Sequence, residues 1–228
     1  MTLRPCVVDI NHEDGSSIED GRIVDRIDFV AAYKWGVRGI IHKATEGNHF
    51  VDPLYHSRRQ RAVAAGMLWG AYHFMRPGDV GDQASFFLQA VGNSRQPPFT
   101  RYVLDYEDPK LALWQAERWL EVLQRVTGQF PWIYSGFLVR EQTDRGITLP
   151  PSLAQYPLWL AEYSEEPRIP RPWQNFVLWQ RSGDGEGPGP HDIPGIGRKQ
   201  DVNYFDGSDL ELRSAWLGRV ETPETEVA

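Results

Sequence analysis

Short apolar runs rich in β-branched residues recur along the whole chain, and in its first half they alternate with stretches of helical periodicity. The apolar runs predict strands over residues 6–10, 37–42, 67–74, 102–107, 130–134, 157–161, 176–180 and 199–204. Apolar positions three and four residues apart predict helices over residues 27–35, 53–65, 79–91 and 111–126. Gly66 and Gly128 closely follow two of these helices, as glycines often do at helix ends.

Strands that alternate with helices are typical of a parallel β/α barrel. Residues 182–197 hold six Gly and three Pro and are predicted to form a loop. The predicted fold class is α/β, an irregular, flattened (β/α)8-like barrel of TIM-like type whose second half is poor in helices. The sequence shows no linker and no repeat, so residues 1–217 are expected to form a single barrel domain. Residues 218–228, rich in Glu and Thr, are expected to form a flexible tail.

Composition and charge argue against several classes of function. The 228 residues carry a net charge of −7 and no long run of Lys and Arg, which argues against nucleic-acid binding. The longest apolar stretches are far shorter than the ~20 residues that span a bilayer, so no membrane association is expected. The first nine residues show no apolar signal core and no cleavage site. Work inside the cell, export by another route and prior removal of a leader are all compatible with this sequence.

Metal and nucleophile chemistry find little support. Cys6 is the single cysteine, so neither an intrachain disulfide nor a cysteine-based zinc site can form. His42 and His73 lie on neighbouring predicted strands and could meet, but the six histidines lack metal-ligand spacing and structural histidines are commoner. Ser135 and Ser182 lack the setting of a nucleophile elbow. No metal and no cofactor are expected.

Polar residues cluster at the predicted carboxyl ends of the strands, where β/α barrels carry their active sites. In strand order they are Asp9; His42, Lys43 and Glu46; Tyr72 and His73; Asp105 and Glu107; Tyr134; Trp159 and Glu162; Gln180; and Asp201 and Asn203. Such a ring of acids and aromatics suits a glycosidase, which needs a protonated carboxyl and a second acid. The aromatic content of 12% fits a sugar-binding cleft, although aromatics also dominate ordinary cores.

Asp105 and Glu107 form the sharpest of these features. Residues two apart on a strand point to the same face, about 6.6 Å apart along it. In a partly closed cleft one carboxyl stays ionised and the other holds its proton near neutral pH. Glu107, nearer the strand end, is the predicted acid and Asp105 its partner. Taken singly these acids are weaker evidence: Asp-x-Glu is common on surface strands, Asp9 also fits a cap, and Asp201 also fits the surface.

Eight segments, in order and nearly from end to end, give the chain a family resemblance. They are residues 8–10 (VDI), 39–47 (GIIHKATEG), 70–74 (GAYHF), 104–107 (LDYE), 132–135 (WIYS), 158–163 (LWLAEY), 178–180 (LWQ) and 201–207 (DVNYFDG). On these segments the chain resembles family 25 of the glycoside hydrolases, the Chalaropsis-type and phage lysozymes. It departs from the family pattern at Val8, at residues 11–14 and at Arg181, which bears on substrate preference and leaves the acids intact.

The resemblance implies a metal-free muramidase that cleaves the β-1,4 bond between N-acetylmuramic acid and N-acetylglucosamine. By position, Glu107 is the acid/base, and Asp105 orients the substrate's 2-acetamido group, which attacks the anomeric carbon with retention. Asp9 and Asp201 fall on the family's other two cleft acids, so four catalytic residues are predicted. The predicted substrate-binding residues are Tyr72, Tyr134 and Trp159, which would line the sugar subsites, with Lys43, Glu46 and Gln180 at the same mouth. The expected partner is the glycan strand of peptidoglycan, bound by a monomer.

Two other functions fit the same residues: a non-catalytic barrel that binds cell-wall glycan, and a chitinase-like hydrolase on a related barrel. The intact pair at residues 105 and 107 favours an enzyme. A compact lysozyme without a leader suits a phage endolysin, made in the cytoplasm and released through a host membrane pore, which we favour. It also suits a toxin exported by dedicated machinery. Because only a short tail follows the last predicted strand, no appended wall-binding module is expected.

Overall fold

The computed structural model describes residues 3–92 and 99–218. Its strands are β1 (Leu3–Ile10), β2 (Ser16–Glu19), β3 (Arg22–Asp25), β4 (Gly39–Glu46), β5 (Phe50–Val51), β6 (Leu68–Phe74), β7 (Thr100–Asp105), β8 (Trp132–Ser135), β9 (Leu158–Ala161), β10 (Leu178–Ser182) and β11 (Asp201–Asp206). Its helices are α1 (Phe29–Trp35), α2 (Tyr55–Ala64), α3 (Val80–Val91), α4 (Leu113–Thr127), α5 (Phe137–Asp144) and α6 (Asp209–Leu217), with a 3-10 helix at Pro151–Gln155. Each predicted strand and helix corresponds to an observed one, with ends displaced by a few residues.

Eight strands close into a barrel in the order β1, β4, β6, β7, β8, β9, β10, β11. Parallel pairing runs from β1 through β4 to β10. β11 is antiparallel to both its neighbours, β10 and β1. The α/β barrel class is confirmed, but the expectation of wholly parallel strands is wrong at the last one. A parallel strand would need a crossover back to the other end of the barrel. The loop after β10 instead starts β11 at the end where β10 finishes.

Alternation along the strands sorts the buried side chains into two layers, since successive residues on a strand face opposite sides. Ile40 and Leu104 belong to a large buried cluster that includes Trp119 of α4, so they face outward beneath the helices. Their neighbours Ile41 and Val103 belong to a second cluster, which fills the barrel. Residues two positions further along these strands therefore also point inward, toward the carboxyl end.

Helix α6 closes the amino end of the barrel. Its side chains Leu212 and Trp216 are fully buried in the inner cluster. Two glycines make room for the indole: a Cβ at Gly39 would lie 3.1 Å from a Trp216 ring carbon, and one at Gly70 would lie 3.3 Å from another. The Trp132 ring meets that of Trp216 edge-on, at 5.2 Å between centroids. With one end plugged, the carboxyl end is the place for a site.

Several elements were not predicted. The β2–β3 hairpin is at most half-buried, so its residues carry no clear alternation of apolar and polar positions. Helix α5 begins directly after Gly136, where a Cβ would lie only 1.9 Å from the Ala161 carbonyl oxygen. Helix α6 starts with a capping box, in which Ser208 and Glu211 bond to each other's backbone N–H groups. Beyond β8 the described part of the chain is the poorer in helices, as expected, with α5, α6 and the short 3-10 helix alone.

Two further expectations concern the carboxyl-terminal tail and membrane spans. The predicted tail falls, from residue 219 onward, outside the described residues. Over the described ranges, no helix combines the length and the apolar character that a membrane span requires.

Candidate active site

The inward positions at the carboxyl end of the barrel bring the predicted polar residues to one mouth. Around the ring they are Asp9, Lys43, Tyr72, Asp105, Tyr134, Gln180 and Asn203. Each lies two residues from an inward-facing residue of its own strand or pairs with an inward-facing residue of a neighbouring strand. Asp201 opposes Asp9 in the antiparallel register. Asp201 therefore reaches the mouth from the first residue of a strand that runs away from it, whereas the parallel strands reach the mouth toward their carboxyl ends.

Asp9 is held by amide donors from β10 and β11. Gln180 Nε2 donates to Asp9 Oδ1 at 3.0 Å and to Oδ2 at 3.2 Å, and Asn203 Nδ2 donates to Oδ1 at 2.7 Å. The Trp159 indole N–H donates to Asn203 Oδ1. Burial and the nearby charge of Asp201 raise the pKa of Asp9 well above its ordinary value, against the effect of these donors. The Asp9 carboxyl is thus fixed in position and reluctant to ionise.

Asp105 and Glu107 lie at the end of β7, although not quite as predicted. The strand ends at Asp105, and Glu107 stands just beyond it, half-buried. Burial raises the pKa of both carboxyls; the Glu107 charge raises that of Asp105 further, and the Asp184 charge that of Glu107. Asp105 Oδ1 is buried with no hydrogen-bond partner among the described residues. The pair therefore holds at least one proton above the usual carboxyl range and leaves one acceptor unfilled.

Three further acids, Asp201, Asp184 and Asp14, lie close enough to act electrostatically at the mouth. Burial raises the pKa of Asp201 to about 7, and the charges of Asp184, Asp14 and Glu107 act in the same direction. The Asp184 backbone N–H donates to Asp201 Oδ1 at 2.9 Å. Asp184 holds a left-handed backbone at φ 53°, which costs of order 1 kcal/mol for a residue other than Gly. That conformation aims its N–H at Asp201, so the turn serves the acid cluster.

Lys43 and Glu46, both predicted to bind substrate, lie in a charged network at the rim. Lys43 pairs with Glu46, and its Nζ lies 4.9 Å from the centre of the Phe74 ring. Arg76 bridges Glu46 and Asp108, with Nε 2.8 Å from Glu46 Oε1 and Nη1 3.0 Å from Asp108 Oδ2. The Lys43 charge lowers the pKa of Asp105, opposing the effect of burial. Lys43 thus links the rim to the acid pair.

The predicted aromatic and amide residues lie at the mouth but differ in exposure. Tyr72 is half-buried, whereas Trp159 and Gln180 are 2% and 1% exposed, which leaves them little surface for a sugar. The hydroxyl groups of Tyr134 and Tyr163 both donate to Gln180 Oε1. The buried side chains of Tyr134, Trp159 and Gln180 therefore act on the mouth mainly by holding other groups in place.

Sequence reasoning missed Asp14, Asp184 and Tyr163 as residues of the mouth. Tyr163 lies within one of the eight family-like segments, and its position two residues after a predicted strand end was a usable signal. Asp14 and Asp184 lie on loops, where alternation says nothing about direction. An acid between glycines at residues 183–185 was the available hint of a tight turn.

Other polar residues at the predicted strand ends turn away from the mouth. His42 stacks on Trp69 in the outer layer, and His73 stacks on Trp119, so the two histidines have separate partners. Burial lowers the pKa of each to about 4, which keeps both neutral at pH 7. Glu162 is buried in ion pairs with arginines. Within residues 3–92 and 99–218, no cluster of His, Cys, Asp and Glu is arranged to hold a metal ion.

The replacement Asp201→Asn is expected to stabilise the fold at neutral pH. The folded pKa of about 7 lies above the unfolded value, so wild-type stability falls as pH rises from about 4 and levels off above 7. Asn removes this loss and keeps the oxygen that accepts from Asp184. Each 1 kcal/mol recovered should raise Tm by roughly 2–4 °C. Thermal melts of both proteins at pH 4 and pH 8 test this; a Tm gain no larger at pH 8 than at pH 4 would contradict it.

The chain is similar in sequence and in fold to known proteins. A family model described as "Glycosyl hydrolases family 25" matches residues 21–190, which include Asp105 and Glu107. "Uncharacterized protein YegX" of Escherichia coli O157:H7 is 32% identical over 217 residues, 90% of this chain and 75% of that one. "Lysozyme M1" of Streptomyces globisporus is 27% identical over 225 residues, 90% of this chain and 69% of that one. The structure of the bacterial lysozyme from Streptomyces coelicolor shares the fold, with a TM-score of 0.76, 24% identity, and coverage of 93% of this chain and 97% of that one.

Proposed function

The chain belongs to glycosyl hydrolases family 25 and is a glycoside hydrolase, and on that premise we propose that it is a muramidase. Its proposed reaction is hydrolysis of the β-1,4 bond between N-acetylmuramic acid and N-acetylglucosamine in peptidoglycan. The observation that carries the proposal is the pair Asp105 and Glu107, whose carboxyls lie in one mouth with raised pKa values. Glycosidases need an acid of this kind beside a second carboxyl.

Glu107 is the proposed proton donor. It stands beyond the strand end and is only half-buried, so its carboxyl lies nearer to an incoming glycosidic oxygen than that of Asp105. Its raised pKa keeps a fraction of the carboxyl protonated at mildly acidic pH, as a general acid requires. After the glycosidic bond breaks, the same carboxylate would accept a proton from the attacking water.

Asp105 is the proposed partner for the substrate's 2-acetamido group. Its buried Oδ1 lacks a hydrogen-bond partner among the described residues, and an amide N–H of the substrate would supply one. An acetamido group so held would present its carbonyl oxygen to the anomeric carbon and give retention of configuration. Asp9 and Asp201 lie on the opposite side of the ring and have raised pKa values. In their ionised forms they would add negative charge that favours a developing oxocarbenium ion.

Digestion of purified peptidoglycan by the wild-type protein tests the proposed function. We expect released fragments that, after borohydride reduction and mass spectrometry, end in reduced muramic acid. Walls with and without O-acetyl groups should both be offered. Fragments that end in reduced glucosamine would replace the proposal with a glucosaminidase, and release from chitin alone would favour a chitinase. Binding to walls without any release would favour the non-catalytic barrel.

The stereochemistry of the same reaction tests the role of Asp105. Proton NMR of the first product formed should show the β-anomer, because retention keeps the configuration of the bond that is cut. An α-anomer at early times would rule out the acetamido route while leaving the muramidase proposal intact. It would instead indicate a directly activated water.

The place of action follows from the proposed substrate, which occurs in the cell wall. We propose that the protein is made in the cytoplasm and reaches the wall after release through a membrane pore, as an endolysin does, or after dedicated export. Lysis of cells only when a pore-forming partner is co-expressed would support the first route. Recovery of the protein from the medium of intact cells would support the second.

A further inference from the structure

The Gln180 side chain makes its hydrogen bonds inside the protein, to two tyrosine hydroxyl groups and one carboxyl group. Its Oε1 accepts from the hydroxyl groups of Tyr134 and Tyr163, which fills both acceptor positions of an amide oxygen. Its Nε2 donates to both oxygens of Asp9. With 1% of its surface exposed, Gln180 has little left to offer a sugar. These contacts and this burial favour a role inside the protein over the direct substrate contact that its sequence position predicted.

The contacts on Asp9 leave its two oxygens in different states. Oδ1 accepts from Gln180 at 3.0 Å and from Asn203 at 2.7 Å, so its lone pairs are occupied. Oδ2 accepts the longer 3.2 Å contact from Gln180 and retains capacity for a further donor. The amide cage thus fixes the rotation of the carboxyl and presents one particular oxygen to the cleft.

We propose that Gln180 is a positioning residue, which holds the Asp9 carboxyl in one orientation by linking it to the hydroxyl groups of Tyr134 and Tyr163. The inference rests on the proposed function, in that Asp9 is taken as one of the cleft acids. Because the chain of contacts runs from β8 and the segment after β9 through β10 to β1, one amide couples three sides of the mouth.

Other titratable groups also affect the ionisation of Asp9. The titratable groups that face it from the surrounding elements are Asp201 on β11, Asp14 on the loop after β1, Asp105 on β7, Tyr72 on β6, Tyr134 on β8 and Tyr163 after β9. The carboxyls among them oppose its ionisation. Gln180 and Asn203 supply the donors that favour ionisation. Removing the Gln180 donor should therefore tip the balance toward protonated Asp9.

The replacement Gln180→Glu makes the role of this donor depend on pH. The glutamate keeps an oxygen for the two tyrosine hydroxyls but places a second oxygen opposite Asp9 where the amide N–H was. At low pH one proton held between the carboxyls restores the bridge. Once that proton leaves, two like charges face each other and the bridge is lost. We expect kcat on peptidoglycan to fall by about 10- to 100-fold at pH 8, the value of a hydrogen bond to a charged group. At pH 5 the loss should be much smaller.

Two measurements on the full chain test the inference. The first is the kcat–pH profile of Gln180→Glu beside Gln89→Glu, the same change at an exposed site on α3, which should match wild type. The second is carbon-13 NMR of labelled aspartate carboxyls, with Asp9 assigned through Asp9→Asn. It should show a higher pKa for Asp9 in Gln180→Glu than in wild type. The NMR readout needs no activity, so it tests the inference even if the muramidase proposal fails.

Two results would overturn the positioning role. An equal loss of kcat at every pH, with the Asp9 titration unchanged, would mean that Gln180 only supports the fold. A raised KM with unchanged kcat would mean that it binds substrate directly.

Discussion

Replacing Glu107 by Gln is expected to slow muropeptide release by about 10²- to 10⁴-fold, the usual contribution of a general acid. The amide keeps the size of the side chain and its capacity to accept hydrogen bonds, but it has no acidic proton to give to the leaving oxygen. The fold should be retained, because burial already disfavours the charge that the change removes. Initial rates on purified peptidoglycan, measured by reduced-fragment mass spectrometry across pH 4 to 8, provide the test.

Glu186→Gln is the matched control for this replacement. Glu186 is exposed on the loop after β10, so the control makes the same chemical change and the same change of net charge near the mouth. We expect wild-type rates from it. Should Glu107→Gln stay within about tenfold of wild type while Asp105→Asn loses activity, the roles of the two carboxyls would be exchanged. The strongly raised pKa of Asp105 makes that exchange the main rival assignment.

The barrel could be predicted from the sequence because its strands are buried on both faces. In the runs Val7-Val8 and Ile40-Ile41, one apolar residue faces the inside of the barrel and the other packs beneath the helices. A strand with one face in solvent would carry polar residues at every second position, so consecutive apolar residues indicate burial on both faces. The direction of β11 could not be predicted in this way. Direction depends on the loop of residues 183–200, which stays at one end of the barrel, and loop geometry leaves no periodic trace.

The acids of the site were predictable in part, for reasons that differ between them. Asp9 and Asp105 lie at the carboxyl ends of buried strands, so the direction of their side chains is set by alternation. Asp201 was assigned to the mouth as a strand-end residue, yet it lies there because it begins a reversed strand. Asp14 and Asp184 sit on loops that only the tertiary fold brings toward the acids, and so they escaped prediction.

The two ends of the barrel divide stability from chemistry. The carboxyl end gathers carboxyls whose raised pKa values oppose folding as pH rises, because the unfolded chain releases their protons more readily. The amino end is closed by the buried ring of Trp216 against Trp132. Apolar packing at the amino end therefore offsets the loss of folding free energy that the carboxyls cause at the other end.

Trp216→Ala is expected to destabilise the protein by about 3–5 kcal/mol, the usual cost of removing a buried Trp. The indole is fully buried, packs between Gly39 and Gly70, and donates its N–H to the Trp69 carbonyl oxygen at 3.0 Å. Neither glycine has a side chain that can move into the space left behind. For a chain of this length the loss should lower Tm by about 6–20 °C. Urea unfolding followed by tryptophan fluorescence and circular dichroism measures the change in midpoint at constant slope.

Trp114→Ala serves as the control for this loss, since Trp114 is 62% exposed at the second residue of α4. Its replacement should change the free energy of unfolding by no more than about 0.5 kcal/mol. Because α6 lies at the end opposite the acids, Trp216→Ala should keep wild-type muropeptide products and rate per folded molecule at 15 °C, well below its melting range. Equal losses of stability in the two variants would contradict the role of Trp216 in closing the amino end of the barrel. Altered products from folded Trp216→Ala would show that the amino end also shapes the site.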